Sequence, residues 1–124
     1  MAHSIDLVGC ITLGPAAEDL RGYQHRAVEL RNDGNVYLHG GVTSHQPLIM
    51  QNRANSGDPV SVSPAPNVTK AVIAGPVTAG AYVGTVNSGA GLEQCSISSI
   101  RRIGVLLATI TGSGNTGTVL QLPS

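Results

Sequence analysis

Apolar and polar residues alternate in short blocks along this chain, and no stretch repeats with the 3.6-residue period of a long amphipathic helix. The pattern is strongest in the last quarter. Ile103 to Ile110 is a short apolar run, partly β-branched. Thr111 to Gly117 (TGSGNTG) has almost no side chain to bury, and Gly117 to Leu122 is a return run. Apolar runs bounded by Gly/Asn clusters predict a β-hairpin, here with an open or bulged turn because the loop exceeds the two-residue minimum. Val105 and Leu107 would lie on one face, Leu106 and Ala108 on the other. A strand apolar on both faces belongs in the centre of a sheet or between layers. This hairpin is the expected core onto which earlier strands pair.

The same reading runs through the rest of the chain. Ile5 to Leu13 is a candidate strand interrupted by Gly9, where a bulge or close backbone approach is expected, and ended by Gly14-Pro15. Ala16 to Leu20 follows as one helical turn with Glu18 and Asp19 at its exposed edge. Alternatively, the leader up to Leu20 is an arm that pairs only beside a neighbouring subunit. Ala27 to Arg31 alternates Val28 and Leu30 against Glu29 and Arg31, a half-exposed strand. Asn32 to Asn35 contains the Asp-Gly turn signal, and Val36 to His39 returns, giving a second hairpin. Pro47 to Gln51 is a further short strand candidate. Val60-Ser61-Val62-Ser63 alternates as an edge or half-buried strand does, and Pro64 and Pro66 stop it. Thr69 to Ile73 and Ala81 to Val86 complete the set, and Ser96 to Ile100 leads into the final hairpin. Short strands with turn signals every 8 to 12 residues or so predict an all-β fold: a small β-barrel or β-sandwich of short antiparallel strands. Residues 1–21 form an N-terminal arm or first strand, and residues 22–124 the β domain.

Composition narrows the function classes. At 124 residues the chain is one domain, and 32 Ile, Leu and Val residues exclude a disordered polymer. With 16 glycines, no Phe, no Trp and three tyrosines, the core must be built from small branched aliphatics. Charged residues make up 11% and cancel to a net charge of 0, so no basic, aromatic-studded face is present to bind nucleic acid. A charge-poor surface is a solubility risk for a free monomer and points to partner contacts. No stretch reaches the ~18 apolar residues of a membrane span. The N-terminus lacks the charged and apolar regions of a signal peptide, so synthesis in the cytoplasm of the producing cell is expected. Cys10 and Cys95 have no metal-ligand spacing; they are two small buried hydrophobes or one disulfide.

Candidate chemistry is sparse. His39 and His45 flank a Gly-Gly loop and could meet, but a metal site wants a third ligand, and the loop holds no carboxylate or thiol. No G-x-S-x-G elbow and no P-loop lysine occur, so the glycine runs read as hairpin turns. Asn67-Val68-Thr69 matches a glycosylation acceptor without a secretory signal. Glu18-Asp19 reads as a solvated turn. Arg101-Arg102 is the one charged cluster beside the last hairpin: either an exposed strand start or a contact to an acidic partner surface. Neither an enzyme nor a cofactor is expected.

The order of these motifs resembles a known family. Gly22-Tyr23 precedes a strand, "N…GDPVSV" runs from Asn52 to Val62, and Val77-Thr78-Ala79-Gly80 turns before the next strand. Ile103-Gly104-Val105 to Ala108 is followed by a glycine loop and a closing strand. Over about residues 22 to 122 this resembles the small capsid decoration, or cement, proteins of tailed bacteriophages. The chain departs from the pattern in its Met1 to Arg21 leader and in an insertion at Gly40 to Gln46. The resemblance implies a structural virion protein on the outer surface of the head. Its partners would be the major capsid protein and further copies of itself, as a homotrimer, with no nucleic acid, membrane or catalytic residue involved. Expected contact residues are Ile5 and Leu7 in the leader, and Arg101 and Arg102. The alternative is a small ligand- or glycan-binding β-sandwich, with Tyr23, Tyr37 and Tyr82 as its aromatic platforms.

Overall fold

A computed structural model describes residues 10–40, 47–63, 67–85, 91–95, 102–112 and 115–122. The fold is all-β. Its strands are β1 (Ile11–Pro15), β2 (Ala27–Leu30), β3 (Val36–Leu38), β4 (Leu48–Met50), β5 (Pro59–Ser63), β6 (Asn67–Ile73), β7 (Tyr82–Thr85), β8 (Leu92–Gln94), β9 (Arg102–Leu106) and β10 (Asn115–Gln121). A single 3-10 turn, Arg21–Tyr23, precedes β2. The first five strands form a sheet in the order β1-β5-β4-β2-β3, and the last five close into a barrel in the order β10-β6-β8-β7-β9.

Both hairpins predicted from the chain are present. β2 and β3 pair through Val28↔Leu38, Glu29↔Tyr37 and Leu30↔Val36, and Gly34 takes φ +83° at the Asp-Gly turn, where a side chain is costly. β9 and β10 pair through Leu106↔Val119, Val105↔Leu120 and Gly104↔Gln121. β9 is central, as its apolar faces require, with β7 on its other side. The hairpin's extent differs from the expectation. β9 ends at Leu106. Leu107 and Ala108 are exposed, and Ile110 returns only as an isolated bridge to Val77. The hairpin also organises the barrel alone, because β1 to β5 pair among themselves.

Other differences have local causes. β1 runs through Gly14 and Pro15 rather than stopping at them. Pro15 sits opposite Pro59 at the end of the β1–β5 ladder, after a register shift, where a missing N–H costs little. Gly14 is packed so closely on the Gly34 carbonyl that a Cβ would collide with it. In place of a helical turn at Ala16 to Leu20, Ala16 bridges in parallel to Val36, and Ala17 N–H donates to Val36 O at 2.8 Å. Those contacts roll the first sheet until its two edges meet. β5 is not an edge, since β1 and β4 flank it. β8 carries no strand signal in the sequence and pairs in parallel with β6 at Leu92↔Ile73, against the all-antiparallel expectation. Cys10 is buried, Cys95 is half-buried, and the two form no disulfide.

The rolled sheet has two faces because β side chains alternate. Val28, Met50, Val60 and Val62 point into a first core with Ala16, Leu20, Val36 and Ala54. Ala27 and Ile49 point the other way, into the barrel core of Ala71, Ile73, Val83, Leu92, Leu106 and Val119. The two halves are also tied by polar groups. Gln121 Nε2 donates to Ser63 O at 3.1 Å, and Gln51 Nε2 donates to Thr69 Oγ1 at 2.9 Å.

Candidate functional site

The barrel's register assembles a surface that no local segment contains. Val68 on β6 lies opposite Leu120 on β10; Leu120 lies opposite Val105 on β9; Val105 lies opposite Tyr82 on β7. Directly opposed residues share a face. The next row, Thr69, Val119 and Leu106, is buried, so the Val68–Leu120–Val105–Tyr82 row points outward. Val68 is 54% exposed, and the other three are half-buried. A cation stands at each end. Lys70 is exposed two residues beyond Val68, and the Arg102 guanidinium sits 5.5 Å from the Tyr82 ring centroid. The result is a band of aliphatic and aromatic surface across four strands, with Lys70 at one end and Arg102 at the other.

The β2–β3 hairpin carries the opposite character. Glu29, read as a half-exposed residue, is fully buried, and Leu30 is 43% exposed. Glu29 faces the same side as Ala27, toward the barrel. Its carboxylate accepts from Arg31 Nε at 2.9 Å and from Gly40 N–H at 3.1 Å, which lets a buried charge persist. The Arg31 guanidinium lies 3.9 Å from the Tyr37 ring centroid. The Tyr37 hydroxyl donates to Asp33 Oδ2 at 2.7 Å. That bond, then the Asn35 N–H, holds the Asp33 carboxyl below the usual carboxylate range, and the same bond raises the Tyr37 hydroxyl. Glu18 Oε2 accepts from Leu38 N–H at 3.3 Å, covering the open side of β3. Nearby, Arg21 hydrogen bonds pull Asp19 down to about 2.

His25 marks the seam between the halves. Its N–H donates to Met50 O at 2.8 Å, and its carbonyl accepts from Val72 N–H at 2.9 Å, so one residue joins β4 to β6. This requires φ +66°, a left-handed conformation uncommon for a non-glycine residue. Nδ1 is buried without a hydrogen-bond partner, and burial, then the Lys70 charge, lowers the imidazole below its ordinary 6.5.

Of the expected contact residues, Arg102 belongs to the barrel surface; Ile5, Leu7 and Arg101 lie outside the described residues, as does most of the Gly40 to Gln46 insertion. His39 is buried on the Glu29 side of the hairpin, and His45 lies outside the described residues. Among the described residues, no three His, Cys, Asp or Glu side chains gather to hold a metal ion. The tyrosines sit on separate elements: Tyr23 in the 3-10 turn, Tyr37 on β3 and Tyr82 on β7. Asn67 starts β6, half-buried, with its side chain bonded to Ser63 Oγ and Val68 N–H. Val68, Val105 and Leu120 were not legible as a surface, because only the pairing of four strands makes them neighbours. This is a small all-β protein with a closed barrel and a broad apolar outer row. No protein-family model matches the chain, and no curated protein matches it.

Proposed function

We propose that this chain is a structural virion protein, a capsid decoration or cement protein that binds the outer surface of a phage head and bridges its capsomers. The observation that carries the reading is the outward Val68–Leu120–Val105–Tyr82 row. An apolar band suits contact with another folded surface, and large interfaces are built on aliphatic and aromatic cores with polar rims. The sequence pattern of glycine turns and the charge-poor composition support the same reading. So does avidity: a self-associated binder making many weak contacts at once holds tightly without any strong single site. The proposed partners are the major capsid protein and other copies of this chain, with no catalysed reaction.

The test is co-sedimentation of the purified chain with expanded phage heads, followed by heating of the loaded particles. The expected result is saturable pelleting and a raised temperature of head disruption. A chain that stays in the supernatant with the heads of the phage encoding it would overturn the proposal.

A further inference from the structure

The chain is neutral overall but electrically divided. Residues 1–63 hold six Asp and Glu against four Arg, a net charge of −2. Residues 64–124 hold one Glu against one Lys and two Arg, a net charge of +2. The division follows the architecture, because the first stretch builds the rolled sheet and the second the barrel. It is also concentrated where the two surfaces already described lie. The barrel row is flanked by Lys70 and Arg102. The hairpin presents the exposed carboxylates of Glu18 and Asp33 around Tyr37, while its one arginine, Arg31, is engaged with Glu29.

We propose that the barrel row takes a second copy of this chain, and that it seats against the Glu18–Tyr37–Asp33 face of that copy. The inference rests on the self-association in the proposed function and names the two surfaces that make it. Charge complementarity selects the pairing. Two barrel rows set face to face would oppose Lys70 and Arg102 to their own kind, and two hairpin faces would oppose carboxylates; like charges across an interface are costly. One of each pairs cation with carboxylate over an apolar centre. The contact is heterologous, head to tail, so each chain offers a free surface of each kind and assembly closes as a ring or grows. It uses side chains rather than strand addition, since Ala17 already occupies the Val36 carbonyl and Glu18 the Leu38 N–H on the open side of β3.

Sedimentation velocity on the full-length chain tests this. Wild type self-associates at low salt and dissociates as salt is raised, because exposed charge pairs are screened. Lys70→Glu disables the barrel surface, and Glu18→Lys the hairpin surface; each alone weakens self-association by about tenfold or more, given the cost of opposed like charges. Mixed in equal amounts, the two variants associate again, because the barrel surface of the Glu18→Lys chain and the hairpin surface of the Lys70→Glu chain are both intact. Circular dichroism confirms that both remain folded, and Arg102→Glu with Asp33→Lys repeats the experiment should either first variant melt early. The inference is overturned if folded Glu18→Lys chains associate like wild type, if the mixture stays monomeric, or if wild type is a monomer at low salt. Head binding by a monomeric wild type overturns the inference and leaves the proposed function standing. Pairing of the mixed variants without head binding does the reverse.

Discussion

At the scale of single residues, two ionisable groups, the buried Glu29 and the half-buried His25, account for much of the local design. Glu29 is a charge inside the fold, held by Arg31 and by the Gly40 N–H. Glu29→Ala strands that N–H, while Arg31 is left partly in water. The expected loss is about 1–3 kcal/mol, the cost of an unsatisfied buried donor, read from a urea midpoint. His25 contributes in the other direction. Burial lowers its folded pKa below its ordinary 6.5, so the unfolded chain binds the proton more readily. Stability therefore rises with pH in this window: the group's contribution is intact above about 6.5 and declines as pH falls toward the folded value. The carboxylates Asp19 and Asp33, both lowered from 3.8, act only at more acid pH, where their protonation removes stability. His25→Asn keeps a side chain that tolerates a left-handed backbone and cannot titrate. Its thermal midpoint should be flat between pH 7 and about 5, where that of wild type falls. Parallel curves for the two proteins would show that His25 is not the titrating group.

At the scale of elements, glycines separate turns from close contacts. Gly104 on β9 faces the Leu120 backbone, and a Cβ there would collide with the Leu120 carbonyl, which no rotamer change relieves. Gly75, in the turn after β6, has open space around its missing Cβ. Gly104→Ala should cost about 1–3 kcal/mol or more through overpacking of the β9–β10 pair. Gly75→Ala should be neutral or slightly stabilising, by about 0.4–1 kcal/mol, through a stiffer unfolded chain. Chemical denaturation of both variants checks the contrast; equal effects would mean that β9 and β10 are not packed as described. The hairpins were legible in the sequence because an Asp-Gly turn and a glycine loop act locally on the strands they join. β8 was not legible. Three residues, Leu92, Glu93 and Gln94, have no strand pattern of their own, and they are extended because β6 and β7 flank them.

At the scale of the molecule, the two halves share a core. Ile49 belongs to the first sheet by hydrogen bonding, through Ala27 and Ser63, and to the barrel by packing. Ile49→Ala should therefore cost about 2–5 kcal/mol, as fully buried aliphatic truncations do. It should lower hydrogen-exchange protection in β2 and β6 together. Loss confined to the first sheet would mean that the barrel stands alone.

Much of this architecture followed from the amino-acid sequence by itself. Alternation in Val60–Ser63, the Asp33-Gly34 turn and the aliphatic run at Ile103 to Leu106 determine where strands form, because period, turn chemistry and β-branching act over a few residues. The absence of Phe and Trp determines that the cores are made of small side chains. Only the tertiary structure decided which strands meet. Pairings such as Ala16 with Val36, or Val68 with Leu120, join segments far apart in the chain, and their register follows from rolling each sheet until its edges meet. The same closure turned Glu29 inward, because the barrel covers a face that an isolated hairpin would leave to water. It also drew one apolar row from four strands, each of which shows a single member of it.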